Sequence, residues 1–204
     1  MFNEHVQYRA AKREATRQKV LASAEQLFRQ HGFSATTIRQ IAADADVSIG
    51  TVMAVGDKDA LLIAIVDGWI AAVHRGRSGN HGDNHTCLAA TAAVQEVMRV
   101  FEPFIEYLFR DQELSRAYAA IIVRGTHESA IFQDLALALI AEINAALSRS
   151  SLTPAAASRG ARAIYFSYLG ILIAAGSGAF AEQAVVDQLR EVVSFVISPQ
   201  GEQQ

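Results

Sequence analysis

The stretch that decides the fold is residues 36–55, TTIRQIAADADVSIGTVMAV. Its first half carries apolar residues at the i, i+3, i+4 spacing of one helical face: Ile38, Ile41 and Ala42. Thr36 is placed to cap this helix, and Ser48 is placed to cap a second helix from Ile49 to about Ala54. Two short helices joined by a turn of three or four residues form a helix-turn-helix, whose second helix enters the DNA major groove.

A longer helix is predicted ahead of this stretch, from Arg13 to His31. Its buried stripe follows the i, i+4, i+7, i+8 spacing of Val20, Ala24, Leu27 and Phe28. Gly32 ends the helix, and Phe33 behind it supplies the apolar contact of such an end. Together the three helices predict a compact head over residues 13–58.

The same region resembles the DNA-binding region of TetR-type (TetR/AcrR) transcriptional regulators. The matching positions, in order between Arg13 and Ile65, are Leu27-Phe28, Gly32, Thr36-Thr37, Ile41-Ala42, Val47-Ser48, Gly50-Thr51, Lys58 and Leu61-Leu62. Two positions depart from the family pattern. Asp46 stands where the turn usually carries Gly, and Met53-Ala54-Val55 stands where an aromatic pair around a Tyr is usual. Asp tolerates a left-handed backbone better than most residues, so the turn is expected to form.

The expected DNA contacts fall into two groups. Contacts to phosphates, which fix position, are expected from Arg17, Thr36, Thr37, Ser48, Thr51 and Lys58. Contacts to bases are expected from Arg39, Ile49, Gly50 and Met53. Asp57 is predicted to cap a connecting helix over residues 59–75, and Lys58 in its first turn is interpreted as a phosphate clamp.

Charge is uneven along a chain whose net charge is −3. Residues 1–58 hold eight Lys and Arg against six Asp and Glu, so the head is mildly basic and the remainder is acidic. Residues 1–12 are interpreted as a flexible basic arm. Arg9, Lys12 and Arg13 could contact phosphates or a minor groove; a tail with no role fits the sequence equally well.

Composition favours an all-α protein, because 51% of the 204 residues are hydrophobic, 8% are aromatic and three are Pro. The single Cys and the absence of an apolar core in the first twenty residues indicate a cytoplasmic protein. Residues 76–85 are rich in Gly, Asn and charge and form the expected linker. His81, Asp83, His85 and Cys87 lie close together there, but their spacing matches no common zinc site, so no metal and no cofactor is expected.

The C-terminal domain is predicted over residues 86–198, with a tail over 199–204. Breaks near Asp111, Gly125, 148–151 and 176–178 give five helices after the linker and about nine in total. The resemblance implies a ligand-binding C-terminal domain, and a small apolar or aromatic effector is the expected ligand. The candidate lining residues are Phe101, Phe104, Tyr107, Tyr118, His127 and Phe166. An ordinary helical core would account for the same aromatic residues.

Residues 163–181 carry no charge and approach the length that spans a bilayer. Their second half is rich in Gly, Ser and Ala, so a helix buried on every side is favoured and no membrane partner is expected. Thr153-Pro154 marks a strong helix start. The last helix carries a stripe of aliphatic residues: Val185, Leu189, Val192, Val193 and Val196. In TetR-type proteins the last two long helices form the dimer, which the resemblance assigns here to about 154–175 and 185–197.

The sequence thus favours a homodimeric DNA-binding transcriptional regulator, a repressor that binds a near-palindromic duplex operator and is released by a small-molecule ligand. Two alternatives remain open, a helical interaction module that no longer reads DNA and a helical-bundle enzyme. The sequence has no Gly-rich phosphate loop, paired Glu-x-x-His motif or Gly-x-Ser-x-Gly elbow, so no enzyme activity is expected.

Overall fold

The computed structural model describes residues 2–77, 88–125, 130–176 and 181–198, and every regular element in these ranges is a helix. The predicted all-α class is therefore confirmed, with nine helices in the described part of the chain. In order they are α1 (Phe2–His31), α2 (Ile38–Asp44), α3 (Ile49–Val55), α4 (Lys58–Arg77), α5 (Ala90–Arg110), α6 (Gln112–Arg124), α7 (Ala130–Ser148), α8 (Pro154–Gly176) and α9 (Glu182–Ile197).

The chain divides into two compact units. The first comprises Met1–Trp69 with Glu113–Ser129, and the second comprises Ile70–Gln112 with Ala130–Gln204. The sequence placed residues 113–129 in the C-terminal domain, whereas the structure groups them with the head. Contacts of α6 within the first unit explain the difference. The Ser34 amide donates to Glu113 at 3.4 Å, and Arg124 pairs with Asp59 at 3.2 Å.

In the first unit α1 carries the predicted buried stripe. Val20 and Ala24 are fully buried, and Ile41 of α2 and Val52 of α3 complete the same small core. The predicted start of α1 at Arg13 is wrong, because the helix begins at Phe2. Residues 2–12 contain no Gly or Pro that would end a helix. The expected flexible arm is therefore a helical extension of α1.

In the second unit four helices pack together, with α5 against α7 and α9, and α8 against α7 and α9. The start of α8 is as predicted, since the Ala156 amide donates to the Thr153 hydroxyl at 3.3 Å ahead of Pro154. The last helix begins at Glu182, three residues before the predicted start, and buries Val185, Leu189, Val193 and Ile197. Hydrophobic burial of these aliphatic faces is the main force that holds the unit together.

Several predicted features fall outside the described residues. They are the greater part of the 76–85 linker with its His and Cys cluster, His127, and the 199–204 tail. Gly76 and Arg77, assigned to the linker from sequence, instead lie in the last turn of α4. Within the described ranges, none of the helices combines the length and the apolar character that crossing a bilayer requires.

Candidate nucleic-acid interface

The turn between α2 and α3 has the geometry of a helix-turn-helix. It spans residues 45–48 and turns at Asp46, whose φ of 48° lies in the left-handed region. The Asp46 amide donates to Ala43 O at 3.2 Å, and the Val47 amide donates to Ala42 O at 3.0 Å. The prediction that Asp takes the place of Gly in this turn is confirmed.

Helix α3 presents an apolar face to solvent. Its N-cap is Ser48, as predicted, because the Ser48 hydroxyl accepts the Thr51 amide at 3.0 Å. Val52 is fully buried and fixes the inner face of the helix, while Ile49 is 47% exposed and Met53 is 50% exposed. Two large apolar side chains left in water on one turn of helix are suited to contact with an apolar partner surface.

Thr36 and Thr37 have different roles from those that the sequence suggested. The cap of α2 is Thr37, which exchanges hydrogen bonds with Gln40 in a capping box: the Gln40 amide donates to Thr37 Oγ1 at 3.3 Å, and the Thr37 amide donates to Gln40 Oε1 at 2.8 Å. Thr36 is 1% exposed, and its hydroxyl lies within hydrogen-bond distance of Gly32 O (2.8 Å) and Leu27 O (3.2 Å). The assignments of Thr36 as cap and as a phosphate contact are therefore wrong, whereas Thr37 remains exposed.

The ammonium of Lys58 is bonded within the chain. Its ammonium donates to the carbonyls of Phe33 (3.0 Å), Thr36 (3.2 Å) and Ser34 (3.4 Å), and it lies 4.5 Å from the centroid of the Phe33 ring. An ammonium has three N–H donors, and three carbonyls occupy them. In the structure the charge holds the loop before α2, and a role of Lys58 as a phosphate clamp stays a prediction. The predicted cap beside it is confirmed, since the Ala60 amide donates to Asp57 Oδ1 at 2.8 Å.

The two arginines assigned to DNA are both exposed. Arg39 lies on α2 and Arg17 on α1, where Arg17 is 3.7 Å from the carboxylate of Glu14. A surface ion pair of this length contributes little to stability, so it leaves the guanidinium available to a stronger anion.

Sequence reasoning missed two contributors to this geometry. Gln40 completes the capping box, and the Thr37-x-x-Gln40 spacing could have revealed it. Glu113 holds Ser34 from a position 79 residues away, and no local pattern indicates such a contact.

The residues expected to line a ligand pocket do not all share one place. Phe101, Phe104 and Tyr107 are buried along α5 in the second unit, and the Phe101 ring lies 4.4 Å from that of Tyr168. Tyr118 belongs to the first unit, where its hydroxyl donates to Asp67 Oδ1 at 3.4 Å. Phe166 is 63% exposed, so its assignment to a pocket wall is wrong for the single chain.

Near these aromatic residues, burial raises the pKa of the Tyr165 phenol above its usual value of 10.0. Tyr165 is 3% exposed, and removal from water disfavours its ionised form. This side chain therefore belongs to the apolar core of the second unit and remains neutral at physiological pH.

Comparison with known proteins agrees with the helix-turn-helix geometry of α2 and α3. Residues 20–65 match the family model described as bacterial regulatory proteins, tetR family. A TetR transcriptional regulator from Rhodococcus sp. RHA1 shares the fold, with a TM-score of 0.61 at 16% identity over 92% of this chain and 98% of that one. Thermus thermophilus FadR, a TetR family transcriptional repressor solved with lauroyl-CoA, gives a TM-score of 0.59 at 20% identity over 88% of this chain and 92% of that one. No curated protein matches the sequence significantly. Residues 20–65 therefore match the tetR family of bacterial regulatory proteins, and the chain has the fold of these two TetR-type regulators.

Proposed function

We propose that this regulator binds a near-palindromic DNA operator as a homodimer, represses transcription there, and is released by a small apolar or aromatic effector. The observation that carries the proposal is the surface of α3, where Ile49 and Met53 are half-exposed on a helix that is capped by Ser48 and anchored by buried Val52. A rigid helix with an outward apolar face and little bulk at Gly50 is suited to the major groove.

Base selection then depends on apolar contacts. Ile49 and Met53 can contact thymine methyl groups, and Arg39 on the neighbouring helix is exposed and can reach a base edge or a phosphate. The hydroxyls of Ser48 and Thr51 are hydrogen-bonded to each other at 2.8 Å, so this pair has one proton left for a phosphate beside the groove. The Thr37 hydroxyl donates to Gln40 Oε1 at 2.8 Å and would have to exchange that bond for one to a phosphate. Since α3 carries no Arg, Asn or Gln, we expect weaker base discrimination from it than a bidentate contact would give.

The dimer is proposed to form through α8 and α9. The outer face of α8 exposes Ala163, Phe166, Gly170 and Ile173, an uncharged stripe at helical spacing that follows the exposed Arg159 and Arg162 in the first turns of the helix, and α9 exposes Phe195 at 71%. An isolated chain would leave this apolar surface in water, which a second copy would cover. Two helices from each chain would make a four-helix interface and place two copies of α3 in successive major grooves.

Effector control is proposed to act through α4. This helix runs without a break from Lys58 in the first unit to Arg77 in the second. A ligand that prefers the conformation with unsuitable head spacing would lower DNA affinity by its differential affinity for the two states. Lauroyl-CoA is bound by the Thermus thermophilus relative. It is a reasonable first probe, because α5 carries buried aromatic residues that could contact an apolar acyl chain. Insertion of Gly beside Trp69 should abolish ligand release of DNA; release that persists would contradict the α4 route.

Selection of bound duplexes from a random pool tests the central proposal. The expected product is a pair of inverted half-sites separated by about one helical turn or a small multiple of it. Replacement of Met53 by Asp should abolish the selected motif, because a carboxylate would face the DNA. The thermal midpoint should fall by only about 2–4 °C, since Met53 is half-exposed and Asp is a poorer helix former near a helix C-terminus. A pool that yields no enriched sequence would favour the interaction module, the second candidate, to which the apolar face of α3 would also be suited.

A further inference from the structure

The N-terminal part of α1 is a helix without a core of its own. The segment consisting of residues 6–19, hereafter the basic extension, lies ahead of the residues that match the family model. Residues 6–15 are exposed on every side, so hydrophobic burial does not hold this part of the helix. The segment continues the anchored part of α1 residue by residue, so it needs no core of its own to be helical, and its exposed faces are accessible to a partner.

Its cations lie along one arc of the helix. Arg9, Arg13 and Arg17 follow an i, i+4, i+8 spacing, and Lys12 lies beside them at i+3 from Arg9. Among the described side chains, Arg9, Lys12 and Arg13 make no ion pair, while Glu14 is shared between Arg17 (3.7 Å) and Gln18 (2.6 Å). Three uncompensated charges within one turn repel one another. Their arrangement therefore favours an anionic partner.

This arc faces the helix proposed to read DNA. A groove of about 800 Å³ runs between the two elements. Its walls are Arg9, Ala10, Lys12, Arg13, Glu14, Thr16 and Arg17 from α1, and Thr51, Ala54 and Val55 from α3. Four cations and one carboxylate thus stand along the side of α3 that adjoins its exposed face. A helix in the major groove has a phosphate strand along each side, because the groove is only about 12 Å wide.

We propose that the basic extension binds the sugar-phosphate backbone of duplex DNA, along the strand that borders the major groove occupied by α3. The inference rests on the proposed function and adds a second DNA-contact element to it. Arg9 and Arg17 are eight residues apart, about 12 Å along a helix axis. Phosphates of one strand rise about 3.4 Å each along the duplex axis but are further apart along the strand, which winds around that axis, so the arc reaches about two to three of them. The contact positions the protein and carries no sequence information.

The test replaces Arg9, Lys12 and Arg13 together by Gln in the full-length protein. The matched control replaces Arg75, Arg99 and Arg110 by Gln, which removes the same net charge from exposed positions in the second unit. DNA affinity is measured from low to high salt on the selected operator and on an unrelated duplex. Far-UV circular dichroism of each variant checks that the helical fold is retained.

The expected result is a salt slope reduced by about 2 to 3, since each phosphate contact contributes about 0.9. Affinity should fall by roughly tenfold or more at moderate salt, equally for both duplexes, while the control variant keeps its slope. Ethylation of single phosphates should interfere with wild-type binding at two or more positions that no longer matter to the triple variant.

Three outcomes would overturn the inference. They are an unchanged slope, a loss confined to the operator, and an ethylation pattern that is the same for both proteins. Failure of the wild-type protein to bind any duplex would overturn the proposed function as well. If the triple variant binds DNA as the wild-type protein does, and the wild-type protein binds its operator, the inference about the basic extension fails while the proposed function stands. The two failures can therefore be distinguished.

Discussion

Replacement of Lys58 by Met separates an internal role of this side chain from a DNA-contact role. Met keeps the aliphatic stem and removes the ammonium, which donates to the carbonyls of Phe33, Ser34 and Thr36 at 3.0–3.4 Å. The variant should unfold more easily and should still bind DNA when folded.

The magnitude follows from the contacts that are lost. A hydrogen bond to a charged group contributes about 1.5–3 kcal/mol, and a partly exposed cation–π contact contributes about 0.5–1 kcal/mol. The three bonds share one ammonium and Lys58 is only partly buried, so the single-bond range sets the scale and we expect a total loss of about 2–3 kcal/mol. In a chain of this length each kcal/mol lowers the thermal midpoint by about 2–4 °C, which gives a decrease of roughly 5–10 °C.

Urea and thermal unfolding measure this loss of stability. DNA titrations at several salt concentrations measure whether Lys58 contacts a phosphate. Arg39→Met is the control for stability, because Arg39 is exposed and its replacement should change stability by less than about 0.5 kcal/mol. Wild-type stability of Lys58→Met together with a salt slope reduced by about 0.9 would refute the internal role and restore the phosphate clamp.

Three further substitutions test other parts of the molecule. Thr36→Val removes a buried hydroxyl that bonds to Gly32 O and Leu27 O and should cost about 1 kcal/mol in urea unfolding, without a change in DNA affinity; weaker DNA binding would contradict its burial. Gly50→Ala should fold, because an added Cβ would meet only Ser48 Oγ at 3.7 Å, and should gain up to about 1 kcal/mol of stability yet bind the operator less tightly in a gel-shift titration; equal affinity would refute close backbone approach. The urea midpoint of the Tyr165→Phe variant should fall less than that of the wild-type protein as the pH rises above 10. The pKa of Tyr165 is raised in the folded chain, so the unfolded chain releases this proton first and wild-type stability falls from pH 10 upward; parallel pH curves would contradict this.

The sequence predicted best those features that neighbouring residues determine. Ser48 and Asp57 cap their helices through amides three residues ahead, and Asp46 adopts the left-handed backbone that its small polar side chain tolerates. Capping was misassigned by one position, to Thr36 instead of Thr37, because two adjacent threonines both fit a local rule. The choice between them depends on tertiary structure, since the first threonine is buried against the end of α1.

Roles set by distant partners could not be predicted. The carbonyls that bind Lys58 lie 22 to 25 residues earlier in the chain, and only the packing of α4 against the head brings them within reach. The α5 aromatic residues illustrate the same limit. Their spacing is equally compatible with a pocket wall and with a packed core, and the 4.4 Å contact of Phe101 with Tyr168 identifies a core contact at that position.

Because the ammonium of Lys58 is bonded to carbonyls of the head, other residues must supply the charge that gives affinity for DNA, and still others the contacts that give selectivity. Arg29 pairs with Glu25 at 2.9 Å, whereas Lys19 of the basic extension lies 4.0 Å from an exposed Asp46. The cations available to DNA in the head are therefore Arg39 and those of the basic extension. Helix α3 itself carries no charged residue. Charge therefore lies on α1 and α2, while the proposed apolar base contacts lie on α3. A chain built in this way would bind DNA in general through elements that salt weakens, and would select its operator through apolar contacts that salt leaves nearly unchanged.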